Sequence, residues 1–272
     1  MKKELTVQRL IANFFVFVCI FLWLHPGLMA LDPNKPITQY SLNIWNVRNG
    51  LPDNSICALE QTCDGYIWLG TRMEGLVRFD GLRFKVFNTS NSPLKSDFIF
   101  SLYEDRKGTL WIGTFDGGLS CYKQGELITF PLEKYPGLKS IKSINEDRWG
   151  NIWIGSDNGG LTCISQGKFT TYTTAEGLPD NRVKCIYQDN KKNLWIASLG
   201  GITQLVKPGV FLNYTAREGL PYSESISICE DSQENLWIGT DGGGLIRMKN
   251  GSFTIYKAPN KLPQQISVRT MV

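Results

Sequence analysis

Residues 67–71 read IWLGT, and near-identical phrases follow at 110–114 (LWIGT), 152–156 (IWIGS), 194–198 (LWIAS) and 236–240 (LWIGT). The tryptophans of these phrases are 43, 42, 42 and 42 residues apart, and they are Trp68, Trp111, Trp153, Trp195 and Trp237. A fixed period of this length is the sequence mark of a repeat array. We predict that each tryptophan anchors a core between neighbouring repeats, because one aromatic side chain can bury about 150–250 Å².

Each repeat contains four short strand-like segments. The first has a large aliphatic residue nine positions before the tryptophan and a small residue ten before it, an alternation typical of a strand. The second carries the tryptophan, a Gly-rich turn leads to the third, and the fourth ends at an aromatic residue 19 positions after the tryptophan. Four strands in roughly 40 residues predict an all-β fold, a β-propeller of four-stranded blades, and favour it over a solenoid.

The pattern also predicts where blades begin and end. Five complete blades are expected at about 55–87, 98–130, 140–172, 182–214 and 225–256, within a propeller region of residues 37–272. Trp45 fits the register of the fourth-strand aromatic, and Ile266–Val272 reads as the first strand of a sixth blade. These parts do not close a ring, so we expect the front of a longer protein with a seven-bladed propeller.

Residues 1–30 have the features of a secretory signal peptide. Lys2, Lys3 and Arg9 precede an apolar run, Leu10–Leu24, and a small residue stands at Ala30. The run is short for a bilayer crossing, although an uncleaved anchor remains an alternative. We therefore expect an exported, periplasmic protein.

The residue content excludes several classes of function. His25 is the single histidine, so residues 31–272 offer none to a catalytic triad or a zinc site. Lys and Arg nearly balance Asp and Glu, 29 against 25, which gives no electrostatic reason to propose nucleic acid as a partner. No cofactor or metal is expected. Cys121, Cys163 and Cys185 are interpreted as small core side chains rather than as disulfide partners.

Carboxylates stand in pairs at the end of the first strand, at Glu104–Asp105, Glu146–Asp147 and Glu230–Asp231. A glycosidase would hold two carboxylates about 5–10 Å apart across a cleft. These pairs, however, repeat in register, and Asp followed by Gly suits a turn. We interpret them as turn-forming, solvated acids.

The connectors between repeats and the turns after the tryptophan strand should open on one face of a propeller. Residues there differ from copy to copy on a repeating frame, which is where binding specificity can be encoded. The candidate ligand-binding residues are Arg72, Phe115, Asp116, Asp157, Asn158, Asp180, Asn181, Arg182 and Asp241. Lys142 and Lys184 would add charge if the ligand is anionic. The mixture suits a polar ligand such as an oligosaccharide, and the alternative for any one residue is that it only forms a turn.

The phrases LPDNSICALEQTCDGYIWLGT, IFSLYEDRKGTLWIGTFDGGLSCY and SICEDSQENLWIGTDGGGLIRM resemble the two-component regulator propeller repeat, over about residues 37–272. The resemblance implies the extracytoplasmic sensor part of a hybrid histidine kinase that is attached to the inner membrane and responds to polysaccharide breakdown products. Its partners would be the remaining blades and the kinase of the parent receptor, paired as a dimer. The chain carries no kinase motif, so it is expected not to be an enzyme. The fourth repeat departs from the pattern, with Ala197 in place of Gly.

Two other functions remain open at this stage. One is a secreted propeller enzyme acting on carbohydrate, a lyase or hydrolase that uses carboxylate or arginine chemistry. The other is a protein-interaction propeller, although the Gly-His element of the WD repeat is missing.

Overall fold

Within residues 43–256, which the computed structural model describes, twenty β-strands account for nearly all of the regular structure. They are β1 (Ile56–Gln61), β2 (Ile67–Thr71), β3 (Leu76–Phe79), β4 (Phe84–Phe87), β5 (Ile99–Glu104), β6 (Leu110–Thr114), β7 (Leu119–Lys123), β8 (Glu126–Thr129), β9 (Ile141–Glu146), β10 (Ile152–Ser156), β11 (Gly160–Ser165), β12 (Lys168–Tyr172), β13 (Val183–Gln188), β14 (Leu194–Ser198), β15 (Gly201–Lys207), β16 (Val210–Tyr214), β17 (Ser225–Glu230), β18 (Leu236–Thr240), β19 (Leu245–Lys249) and β20 (Ser252–Tyr256). Short 3-10 segments lie at Val47–Asn49, Pro136–Leu138, Thr174–Glu176 and Ala216–Glu218. In this part of the chain, no helix is long and apolar enough to cross a membrane.

The strands form five four-stranded antiparallel sheets in sequence order, β1–β4, β5–β8, β9–β12, β13–β16 and β17–β20, here called blades 1 to 5. The first strands of successive blades contact one another, so each blade packs against the next along its inner strand. This is the β-propeller architecture that the repeat predicts. The expected signal peptide and the expected sixth-blade strand Ile266–Val272 lie outside the described residues.

Four of the tryptophans, Trp68, Trp111, Trp153 and Trp195, pack in clusters that include residues of the next blade. Trp153 is fully buried and belongs to a cluster that includes Val183 and Ile196 of blade 4. Its ring stacks on Tyr172 of the outer strand, with the ring centres 5.8 Å apart. Burying one such side chain corresponds to roughly 4–6 kcal/mol of transfer free energy at about 25 cal/mol per Å². Trp68 and Trp195 are buried as well, whereas Trp111 and Trp237 are half-buried.

An aspartate holds the turn that precedes each of these tryptophan strands from blade 2 onward. In blade 3, Asp147 Oδ1 accepts hydrogen bonds from the backbone N–H groups of Trp149 and Asn151, each at 2.9 Å. Its Oδ2 accepts from Asn151 Nδ2 and from Trp153 Nε1, each at 2.8 Å. Only 1% of Asp147 is exposed, so the prediction of solvated acids is wrong for this residue, because protein donors replace water around the carboxylate. The same carboxylate-to-indole bond joins Asp105 to Trp111, Asp189 to Trp195 and Asp231 to Trp237.

The glutamates of the carboxylate pairs link adjacent blades. Glu146 Oε2 accepts a hydrogen bond from the backbone N–H of Arg106 in blade 2, at 3.0 Å. Glu230 Oε2 accepts one from the backbone N–H of Asn190 in blade 4, at 2.7 Å. Glu146 is also buried, which again differs from the predicted solvated acid. These carboxylates therefore have a structural role at the contacts between blades.

A close approach between blades explains the glycine that follows the tryptophan. A Cβ on Gly155 would lie 2.4 Å from Val183 Cγ1 of the next blade, far inside van der Waals contact. In blade 4 the same position holds Ala197, which is fully buried. Ser225 has the same register in blade 5 as Val183 in blade 4, since each pairs with the last residue of its own second strand. The register therefore predicts that a smaller side chain, Ser225, faces Ala197. The departure of the fourth repeat is thus matched by a second change in the fifth.

Trp45 occupies the place of a fourth-strand aromatic. Its ring lies edge-on to Phe84 with centres 5.6 Å apart, as Tyr172 lies edge-on to Phe211 at 5.4 Å. The 3-10 segment that follows Trp45 has the same capping box as the segments in the two later Gly-Leu-Pro connectors. These contacts agree with the predicted register of Trp45, while residues 43–46 form no β-strand.

Candidate functional site

One hydrogen bond, repeated in every blade, brings the variable residues to one end of the sheets. In each blade, the residue after the second strand donates its backbone N–H to the carbonyl of the residue just before the first strand. Phe115 donates to Phe98 in this way at 3.0 Å. The other pairs are Arg72 with Ser55, Asp157 with Ser140, Leu199 with Arg182 and Asp241 with Glu224. We call this end, which includes the connectors, the connector face. The aspartate turns lie at the other end of the same strands.

Asp157 links lysines from two blades on the connector face. Its Oδ1 lies 2.8 Å from Lys184 Nζ in blade 4, and its Oδ2 lies 3.9 Å from Lys142 Nζ in its own blade. Burial lowers the pKa of Lys142, while the nearby Asp157 carboxylate opposes that shift. The expectation that the two lysines add charge near the candidate residues agrees with this geometry. The arrangement offers partly desolvated cations beside a paired carboxylate.

Three phenylalanines of blade 2 form an aromatic cluster next to these charges. The ring of Phe98 stacks on Phe115 and on Phe100, with centres 5.2 and 5.3 Å apart. Lys142 Nζ lies 3.7 Å from the ring centre of Phe100 and 5.0 Å from that of Phe115. Arg72 Cζ lies 5.8 Å from the ring of Phe98. Two cations therefore lie against the rings, one from blade 1 and one from blade 3.

Sequence reasoning named Phe115 and missed Phe98 and Phe100. Both lie near the start of a first strand, in positions that hold Ser140 and Lys142 in blade 3. Comparing these positions between repeats, rather than only the position after the second strand, would have found them.

Several predicted residues act in turns. Asn181 Oδ1 accepts a hydrogen bond from the backbone N–H of Thr174 at 2.8 Å and so holds the connector. Asn158 has a φ of 75°, the left-handed conformation of a tight turn. Asp180 accepts from Arg182 Nε at 2.9 Å and from Nη2 at 2.6 Å, and this pairing lowers the pKa of the Asp180 carboxyl. For these four residues the structure shows a turn-forming or paired role.

Asp116 and Asp241 are exposed on the connector face. Together with Arg72, Phe115 and Asp157 they are candidates that the fold brings to this end of the sheets. Among residues 43–256, no group of three or more His, Cys, Asp or Glu side chains is arranged to hold a metal ion.

A cleft of about 150 Å³ lies at the opposite end, between blades 1 and 2. It is lined by Trp68, Arg78 and Glu104 among others, and Arg78 lies 4.2 Å above the ring of Tyr66. The lining of this cleft includes none of the predicted ligand-binding residues.

Comparison with known protein families gives a match in four places. The model described as the two component regulator propeller matches residues 93–116, 135–158, 177–200 and 219–242. Four stretches of the chain are thus similar to the two-component regulator propeller repeat. Each matched segment runs from a connector, through the first strand and the tryptophan strand, into the following turn, so it includes the residues of the connector face. A search of curated protein sequences found no significant match.

Solved structures with the same fold include two extracellular domains of proteins assigned as hybrid two-component systems of B. thetaiotaomicron. The first has a TM-score of 0.67 and 22% identity over 78% of this chain and 31% of its own. The second has a TM-score of 0.60 and 23% identity over 74% and 30%. The chain thus spans about a third of the length of these domains.

An enzyme shares the fold as well. Virginiamycin B lyase of Staphylococcus aureus has a TM-score of 0.63 and 17% identity, over 76% of this chain and 71% of the lyase. At these identities the similarity establishes the propeller fold, and function has to be argued from the residues.

Proposed function

We propose that the chain is the extracytoplasmic, ligand-sensing propeller of a two-component receptor and that it binds a polysaccharide-derived ligand at the connector face. The observation that carries the proposal is where the repeats differ. Trp, Gly and the turn aspartate recur between blades, whereas the connector face holds Arg, Phe, Asp and Leu at one repeat position. Variable side chains on a rigid scaffold are the usual basis of ligand specificity. The family match and the shared fold support the sensing role.

In this proposal the chain acts with partners. It is exported to the periplasm, attached to the inner membrane through the parent receptor, and paired in a dimer together with the remaining blades and the kinase. A ligand that binds one arrangement of the pair more tightly than another shifts the population toward that arrangement, and the kinase state follows. The chain itself performs no catalysis.

A secreted lyase is a second candidate, because the fold match covers most of the virginiamycin B lyase. A histidine-to-alanine variant of that lyase is described as catalytically inactive. The present chain has a single histidine, His25, before the first blade. A lyase reaction here would therefore need another residue in place of that histidine, and the sensing proposal has more support.

Calorimetric titration of the chain with neutral and uronic oligosaccharides tests the sensing proposal. We expect binding of at least one class, with Kd raised about tenfold by Asp157→Asn, which removes the charged partner of Lys184. Lys191→Gln is the matched control, since it removes an exposed charge at the opposite end. Equal binding by both variants, or no binding at all, would contradict the proposal. Chromatographic detection of a cleaved product would favour the lyase instead.

A further inference from the structure

Blade 2 differs from the other blades at the connector face because three positions there hold phenylalanine, and one of the three rings stacks on the other two. These are the residue before the first strand, the second residue of that strand and the residue after the second strand. The corresponding residues are Phe98, Phe100 and Phe115 in blade 2, Ser55, Cys57 and Arg72 in blade 1, Ser140, Lys142 and Asp157 in blade 3, Arg182, Lys184 and Leu199 in blade 4, and Glu224, Ile226 and Asp241 in blade 5. An aromatic stack thus stands on a face that is otherwise mostly polar.

The stack presents flat apolar surface to solvent. The planes of Phe98 and Phe115 are inclined by 19°, and those of Phe98 and Phe100 by 29°. Phe115 is 45% exposed although the ring of Phe98 and the ammonium group of Lys142 lie beside it. Exposed aromatic surface rimmed by polar groups is a feature of binding sites, and an incoming ring can extend such a stack.

The charged groups that contact the rings are both cations, Arg72 and Lys142. Asp157 bonds closely to Lys184 at 2.8 Å and stands 3.9 Å from Lys142, beyond hydrogen-bond distance. The Lys142 ammonium group, whose side chain is 11% exposed, is therefore held in place with donors left for an anion. A ring in the stack would bring an attached anionic group to these cations.

We propose that the connector face of blade 2 binds a carboxylate that carries an aromatic ring. The ring stacks on Phe115, and the carboxylate meets Lys142, with Arg72, next to Phe98, as the second cation. A neutral sugar fits less well, because its hydroxyl groups need acceptors as well as donors. Arg72 and Lys142, the charged side chains against the rings, supply only donors. This inference rests on the proposed function in one respect, that the connector face is the ligand site.

Titration with 4-hydroxycinnamate and with its uncharged amide tests the proposal, followed by chemical shifts or by calorimetry. We expect the acid to bind and the amide to bind about tenfold more weakly, since it lacks the charge-assisted contact. Phe115→Ser and Lys142→Gln should each weaken binding of the acid about tenfold, while Lys191→Gln leaves it unchanged. The comparison of acid and amide uses the unaltered chain, so it stands even if a variant folds poorly.

Equal binding of acid and amide, or binding of the acid that Phe115→Ser leaves unchanged, would overturn the proposal. Galacturonate oligomers and cellobiose are titrated in parallel. If either binds and the aromatic acid does not, this inference fails and the proposed sensing function stands. If no compound binds, both fail.

Discussion

Asp147 Oδ2 accepts a hydrogen bond from the indole nitrogen of Trp153 at 2.8 Å, six residues along the chain. The same carboxylate closes the turn between the two strands through backbone N–H groups. The bond therefore ties the turn to the side chain that fills the core between blades 3 and 4. It explains why the acid and the tryptophan recur together in the repeat.

A double-mutant cycle on this pair should show strong coupling. Asp147→Asn removes the negative charge and presents an amide nitrogen or a weaker acceptor to the indole, and Trp153→Phe removes the N–H while keeping an aromatic ring. We expect each change to lower the free energy of unfolding by about 1–3 kcal/mol. The double mutant should lose clearly less than the sum of the two single-mutant losses. Urea denaturation at pH 7 gives the three values. Additive effects would show that the bond contributes little.

The pairing of Ala197 with Ser225 predicts a second cycle between blades 4 and 5. Ser225→Val enlarges the neighbour of Ala197 and recreates the clash that a Cβ on Gly155 would have with Val183. We expect a loss of about 1–3 kcal/mol from Ser225→Val, and recovery of most of it in the Ala197→Gly, Ser225→Val double variant. Thermal unfolding measures both.

Gly155→Ala provides the matched comparison for that cycle. It should destabilise the chain in the presence of Val183, whereas Ala197→Gly alone should cost about 1 kcal/mol or less. If Ser225→Val is as stable as the unaltered chain, the space between blades 4 and 5 accommodates the larger side chain and the expected clash with Ala197 does not exist.

The strands were predictable because the tryptophan register repeats, and a repeat amplifies weak signals such as a small residue or a Gly-rich turn. The placement of Trp45 followed from the same register. Burial of Asp147 and Glu146 was not predictable, since the sequence shows that acids recur but not which donors surround them. The cluster around Phe100 was missed for a related reason: alternation in a strand does not reveal that Lys142 of the next blade crosses over its ring.

Acid titration should reveal the role of Asp231. Hydrogen bonds from the side chains of Asn235 and Trp237 hold the pKa of Asp231 well below its usual range. A carboxyl whose pKa is lower in the folded than in the unfolded chain, about 3.9 for Asp, stabilises the fold above that value. The stabilisation is lost as the pH falls through the folded pKa. Asp231→Asn should therefore be destabilising at pH 7 and progressively less so below about pH 4.

Urea midpoints of the two proteins, measured from pH 7 down to about pH 2, test this expectation. Asp116→Asn, which changes the net charge equally at an exposed turn, is the control. A difference between Asp231→Asn and the unaltered chain that stays constant down to the lowest pH would contradict the assigned cause.

Cys63 should be a slow nucleophile in spite of its exposure. Its thiol donates a hydrogen bond to Glu104, whose carboxylate favours the protonated form and raises the pKa of Cys63. Glu104→Gln removes the negative charge beside the thiol and should lower the pKa of Cys63. Since only the thiolate is alkylated, the reaction with iodoacetamide near pH 8 should become about threefold faster or more. Peptide mapping by mass spectrometry follows Cys63 and Cys57 in one experiment, and Cys57, whose pKa is raised mainly by burial, is the internal control. An equal rise at both thiols would indicate loosening of blade 1 instead of a local electrostatic effect.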